Sequence, residues 1–219
     1  MRDVEAFSNR IRAGDLGAVT EQIDRDPALV SSQNASGVSA VLFSVYSGRP
    51  EIRDFLLTRG ATLQLHDAAA VGNLRRVQEL LGDSSATPNV FSPDGFPIVA
   101  LAAVFGHLGV VRYLLSQGAD VNAVSTNGTG YTALTGAVAS GHTGIVEWLL
   151  EHGANANYRY AAGYSPLLTA AANGHLEIAK LLLAHGADVR AVTNDGKTAV
   201  MLATERNHPE VSAHLRSVS

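Results

Sequence analysis

Apolar positions in this chain recur at helical spacing, and each set is phased to a glycine. Counted from Gly106, they fall at plus 4, 5, 8 and 9: Val110, Val111, Leu114 and Leu115. The same offsets from Gly141 reach Ile145, Val146, Leu149 and Leu150, and from Gly174 they reach Ile178, Ala179, Leu182 and Leu183. These spacings lie on one face of a helix, so each segment offers one apolar side to a neighbour. The phasing residues are Gly14, Gly48, Gly72, Gly106, Gly141 and Gly174, with Asn207 in the last place; subtraction gives steps of 34, 24, 34, 35, 33 and 33 residues. A second glycine follows twelve residues later at Gly60, Gly118, Gly153 and Gly186. Before the first glycine stands a short alanine-rich segment, as in Leu101-Ala102-Ala103 and Thr169-Ala170-Ala171-Ala172. Alanine favours the helix and lets helices approach closely. Each glycine supplies the left-handed conformation that ends a helix. The predicted unit is helix, turn, helix, loop, and a period of this length marks a solenoid.

The segments Gly106-His107, Leu114-Leu115-Ser116-Gln117-Gly118-Ala119-Asp120-Val121-Asn122-Ala123, Gly141-His142 and Gly174-His175-Leu176-Glu177-Ile178 resemble the ankyrin repeat. The resemblance implies an all-α solenoid of helix-turn-helix units with β-hairpin loops. About seven units are expected, at roughly 1–34, 35–64, 65–90, 91–123, 124–157, 158–190 and 191–219. A single domain over 1–219 is therefore expected, with 1–34 and 191–219 as end caps around five internal repeats at 35–190. Terminal units of a solenoid need a polar outer side. Arg2, Asp3, Glu5, Asn9, Arg10 and Arg12 supply it at one end, and Glu205, Arg206, Asn207, Glu210, His214 and Arg216 at the other, which is the pattern expected of a complete array.

The family's Thr-Pro-Leu-His stretch is poorly kept. Its Thr place holds Ser39, Pro97, Thr132, Ser165 and Thr198; its His place keeps only His66 and is otherwise Leu42, Ala100, Thr135, Leu168 and Met201. Apolar packing is expected to substitute for part of that polar network. The 24-residue step leaves the third unit without a hairpin, and Gly128-Thr129-Gly130 lengthens the fifth hairpin by two residues. Both irregularities are expected to interrupt the row of hairpins.

Composition narrows the function classes. The chain is 46% hydrophobic and 16% charged, with a net charge of -4. It lacks the basic face that a nucleic-acid partner requires. Without cysteine there is no disulfide, thiolate nucleophile or common zinc site. Neither a signal-like N-terminus nor a membrane-length apolar run is present, so a soluble cytoplasmic protein is expected. His107, His142 and His175 follow the first glycine, where the family resemblance implies a structural role at the turn. His152 and His185 precede the second glycine; a two-histidine metal site there would have no carboxylate at helical spacing to complete it. Gly-x-Ser-x-Gly, Walker and dinucleotide motifs are absent. Neither an enzyme nor a cofactor is expected.

The resemblance implies that hairpins and first helices line a concave groove. Residues expected to face a protein partner there are Tyr46, Phe96, Phe105, Tyr131, Tyr158, Arg159, Tyr160, Tyr164, Lys197 and Arg206. Phe96 and Phe105 either line the groove or fold into the core in place of the lost Thr and His. Tyr131, Tyr158, Tyr160 and Tyr164 are expected to be exposed. Exposed aromatics grouped on one face are a binding signal. The function expected is a monomeric, non-catalytic protein-interaction module with its partner over units four to six. The alternatives are an inhibitor or protective partner of an enzyme, and an enzyme with an unrecognised site.

Overall fold

The computed structural model describes residues 4–82 and 87–218. Arg2 and Asp3, expected at the polar N-terminal end, lie outside the described residues. Helices account for nearly all the regular structure. They are α1 (Val4–Ala13), α2 (Leu16–Arg25), α3 (Ala40–Tyr46), α4 (Pro50–Thr58), α5 (Leu65–Val71), α6 (Leu74–Leu81), α7 (Ile98–Val104), α8 (Leu108–Ser116), α9 (Ala133–Ala139), α10 (Thr143–Glu151), α11 (Pro166–Asn173), α12 (Leu176–Ala184), α13 (Ala199–Glu205) and α14 (Pro209–Ser217). Each odd-numbered helix packs on the even-numbered helix next in the chain, and on the odd-numbered helices to either side. The result is the all-helical solenoid that the repeat predicts.

Small side chains make the close stacking of the first helices possible. In α7 every residue from Ile98 to Ala103 is buried, and in α11 every residue from Pro166 to Ala172. The second helices bury only one stripe. Ile145, Val146, Leu149 and Leu150 are all buried, whereas Leu115 and Leu183 are half-buried at the edge of theirs.

The Ser and Thr residues at the family's Thr place act as helix caps. Ser39 Oγ accepts from Leu42 N at 3.0 Å, and Thr198 Oγ1 accepts from Met201 N at 3.2 Å. Thr132 and Thr135 cap each other: Thr135 N donates to Thr132 Oγ1 at 3.2 Å and Thr132 N to Thr135 Oγ1 at 2.8 Å. Such caps satisfy amide groups left over at a helix start. Where Pro97 replaces the capping residue, α7 begins without a side-chain cap. In the third unit the fully buried Asp67 accepts from Gln64 N at 2.9 Å and from Ser39 Oγ of the preceding unit at 2.6 Å. Polar links between units are therefore rebuilt with other residues, more fully than the sequence predicts.

The histidines after the first glycine reach across units rather than serving their own turn. His107 Nε2 donates to Ala70 O at 2.9 Å, and His142 Nε2 donates to Val104 O at 3.0 Å. A carbonyl only accepts, so Nε2 carries the proton in both. Burial holds His107 below the usual histidine pKa, against the opposing pull of its bond to Ala70 O. Each ring lies over the glycine of the preceding unit, His107 on Gly72 and His142 on Gly106. A side-chain ladder adds a second seam: Asn122 Nδ2 donates to Gly153 O at 3.0 Å while Asn122 Oδ1 accepts from Asn155 N at 2.9 Å. Asn89 and Asn157 make the same pair of bonds to Gly118 O and Asp120 N, and to Gly186 O and Asp188 N.

The hairpins are minimal, with isolated bridges at Gln33–Ser39, Phe91–Pro97 and Val192–Thr198. Ser125 N bonds Tyr131 O, whereas the matching bond in the other loops spans two fewer residues, as in Ser92 N to Phe96 O. The fifth hairpin is thus enlarged as predicted, and only residues 59–64 separate α4 from α5. Among the described residues, backbone bonds join the fourth hairpin to the fifth and the sixth to the seventh, and none crosses from the second to the fourth or from the fifth to the sixth, which is the interruption expected. Thr126 N donates to Gly95 O at 2.8 Å, and Asn194 N to Ala162 O at 2.9 Å. Across the short loop the second-unit hairpin meets the fourth directly, since a Cβ on Gly37 would lie 3.0 Å from Pro93 Cβ.

Gly72 of the first glycine series and Gly118 of the second are required for different reasons, and this is testable. Gly72 and Gly118 both have positive φ, but a Cβ on Gly72 would lie 2.4 Å from His107 Nδ1, while one on Gly118 meets nothing within 4 Å. Gly118→Ala is expected to destabilise by about 1 kcal/mol from backbone strain alone. Gly72→Ala should destabilise by at least about 1 kcal/mol more, because the His107 bond between units is lost as well. Urea unfolding midpoints of the two variants check the difference.

Candidate partner-binding site

Four of the predicted aromatic residues converge on one cavity. Tyr46 at the end of α3, Phe96 on the fourth hairpin, Phe105 after α7 and Tyr131 after the fifth hairpin line it, together with Asp94 and Thr132. Its floor is made of Ala100, Leu101, Val104, Gly136 and Ala139 from α7 and α9, and its volume is ≈ 330 Å³. Small residues on two neighbouring helices leave the space, and the rings wall it. Tyr46 lies 6.4 Å from Phe96, edge to face, and 6.1 Å from Phe105, near-parallel. Phe96 lies 6.4 Å from Tyr131, which lies 5.8 Å from Tyr160. Such separations suit favourable aromatic contacts.

Tyr46 joins the cavity from the far side of the unit that lacks a hairpin. Beside it, Val38, Leu42, Ala70 and Leu101 form a small second core, with Phe43, Val45, Tyr46, Phe96 and Phe105 packed on it. Phe96 and Phe105 therefore do both things the sequence left open: each is half-buried on this core and each walls the cavity. Tyr46 OH donates to Asp94 Oδ1 at 3.2 Å across the gap, and Ser92 Oγ donates to the same oxygen at 2.6 Å. Burial first, and then the Asp94 charge, raises the Tyr46 phenol well above its ordinary pKa. It remains a donor at neutral pH.

The remaining predicted residues are placed otherwise. Tyr131, Tyr158, Tyr160 and Tyr164 are half-buried, not exposed as expected. Tyr160 OH bonds Thr169 Oγ1 on α11, and Tyr164 packs against the main core. Exposed Arg159 sends Nη2 to Val192 O at 2.6 Å, tying two hairpins together. Lys197 Nζ pairs with Glu205 Oε2 at 2.6 Å. Arg206 is exposed at the end of α13, away from the cavity lining. The aromatic cluster thus runs from unit two to unit six and centres on units four and five, with Tyr46 brought in from further up the chain.

Asp94 was the residue that sequence reasoning missed. Its place in Ser92-Pro93-Asp94-Gly95 reads as an ordinary turn carboxylate, and only the approach of Tyr46 puts it beside the cavity. Trp148 was likewise unremarked: Arg112 lies 4.3 Å above its ring and His152 stacks on it at 3.9 Å, on the second helices. Among the described residues no cluster of three or more His, Cys, Asp or Glu is placed to hold a metal ion, and no helix is long and apolar enough to cross a membrane.

A family model for ankyrin repeats in three copies matches residues 65–160 and 154–217. NF-kappa-B inhibitor alpha of Homo sapiens is 34% identical over 120 residues, which is 48% of this chain and 38% of that protein. Its counterpart in Sus scrofa is 33% identical over 123 residues, with the same coverage of 48% and 38%. Alpha-latrocrustotoxin-Lt1a of Latrodectus tredecimguttatus is 31% identical over 116 residues, 49% of this chain and 8% of the toxin. The chain therefore spans well under half the length of these curated relatives.

Burial of the tyrosines gives an alkaline signature. Tyr160 is pushed up to about 12, chiefly by burial, whereas an unfolded tyrosine ionises near pH 10. The folded state holds its proton longer, so this contribution to stability is complete below about pH 10 and falls away between about pH 10 and 12. Ultraviolet titration should show one tyrosine ionising near pH 12 that is absent in Tyr160→Phe. The wild-type urea midpoint should also fall more between pH 9 and 11 than that of the variant.

Proposed function

The chain belongs to the ankyrin repeat family, and from that premise we propose that it is a non-catalytic protein-interaction module. A segment of a partner protein lies on the face formed by hairpins and first helices, anchored in the cavity walled by Tyr46, Phe96, Phe105 and Tyr131. Convergence of four rings from three units onto one open cavity supports this reading most strongly. Buried aromatic anchors surrounded by near-neutral contacts are the usual energetic centre of a protein interface. Tyr158, Arg159, Tyr160, Tyr164, Lys197 and Arg206 extend the same face toward the C-terminal units, where rim contacts contribute less. We infer one domain over residues 1–219 with polar end repeats, acting as a monomer in the cytoplasm on a protein and not on nucleic acid or a membrane.

Similarity to the inhibitor proteins over about half the chain favours a second, narrower reading, in which binding masks the active surface of the partner. Assaying the captured protein with and without this chain separates the two. Loss of its activity supports inhibition, and unchanged activity supports a scaffold.

Because the Tyr131 ring is half-buried, Tyr131→Ala should destabilise by about 2 kcal/mol while keeping the fold. Partner capture should fall at least tenfold in Tyr131→Ala and in Phe96→Ala, and remain unchanged in Arg112→Ala on the opposite helices. Quantitative pull-down beside circular dichroism tests this. Equal capture by all four proteins would exclude the cavity as the anchor.

A further inference from the structure

Building on the reading that a partner segment lies on this face, we propose that the cavity takes an arginine side chain of that segment. Asp94 is its counter-ion, and Tyr46, Phe96, Phe105 and Tyr131 are its walls.

Charge complementarity carries the argument. A cation within about 6 Å of an aromatic ring is attracted by its electron-rich face. Elsewhere the chain supplies such cations itself: Arg12 lies 5.3 Å from the Phe43 ring, Arg59 5.3 Å from Phe55 and Arg112 4.3 Å from Trp148. Among the described residues no arginine or lysine covers any of the four cavity rings, and Asp94 forms no ion pair. Four rings and a carboxylate are thus assembled around one space without the positive group that each of them favours.

The carboxylate is held in position for such a group. Tyr46 OH and Ser92 Oγ both donate to its Oδ1, at 3.2 and 2.6 Å. An ionised carboxylate offers about four acceptor sites, so capacity for a charged donor remains. Burial raises the Tyr46 phenol pKa, so that group meets Asp94 as a neutral donor. The cavity, ≈ 330 Å³, has room for a long side chain, whose methylene stem would lie on Ala100, Val104 and Ala139. Guanidinium suits the site better than ammonium: it is planar, weakly hydrated, stacks on rings and pairs with carboxylates through two donors.

The test titrates the full chain with n-butylguanidinium, n-butylammonium and the neutral n-butylurea, following ring-proton NMR signals of Phe96 and Tyr131. Butylguanidinium is expected to bind at least fivefold more tightly than butylurea, and more tightly than butylammonium. Asp94→Asn should bring butylguanidinium down to the butylurea level and leave butylurea unchanged. Ala139→Leu, which fills the cavity from α9 without touching Asp94, should weaken both and serves if Asp94→Asn folds poorly. Equal binding of guanidinium and urea, tighter binding of the ammonium, no binding of any probe, or guanidinium binding that survives Asp94→Asn would each overturn the proposal. Loss of partner capture in Tyr131→Ala without any cation preference would leave the partner reading standing and remove only the arginine. A cation preference with capture unchanged in Tyr131→Ala would remove the partner reading, and with it the arginine as the ligand.

Discussion

Contact between small residues of neighbouring first helices is the constraint on which the rest of the molecule depends. Ala68 and Ala69 of α5, Ala102 and Ala103 of α7, Ala133 and Ala137 of α9, and Ala170 and Ala171 of α11 are almost wholly shielded from water. No single unit could shield them, because each first helix is buried from both sides by the units before and after it. Stability is therefore shared between neighbours, as in other stacked repeats. The histidine bonds to Ala70 O and Val104 O and the Asn122 rung add direction to this packing, since they form only when adjacent units are in register.

The irregular third unit keeps its stacking but has lost its hairpin. α5 still packs between α3 and α7, so the solenoid is unbroken. The uncovered apolar surface has to be shielded by something else, and Phe96, Phe105 and Tyr46 close over Val38, Leu42, Ala70 and Leu101. Large rings resting on a small core cannot all lie flat. Between them and the alanine and glycine floor of α7 and α9 a cavity is left open. One wall of that cavity, Tyr46, comes from the unit before the shortened repeat.

Much of this fold was legible in the residues. Helix positions, helix-ending glycines, the short third loop and the enlarged fifth hairpin all obey local rules of propensity, periodicity and turn geometry, and they stand where the spacing put them. The candidate site was legible only in part. Tyr46, Phe96, Phe105 and Tyr131 could be chosen as aromatic residues at groove places, yet their half-burial could not, since it depends on which rings meet across units. Asp94 gave no signal beyond a turn, and the close approach of Gly37 to Pro93 has no local marker at all.

The sequence by itself determined the repeat, the helical class and the family, because each unit encodes its own helices through contacts a few residues apart. Tertiary structure alone decided that a tyrosine of the second unit bonds an aspartate of the fourth, that the histidines bridge units, and that four rings enclose a common space. The physical reason is distance along the chain. Periodicity reports which face of a helix is buried, whereas the 48 residues between Tyr46 and Asp94 are brought together only by how successive units stack.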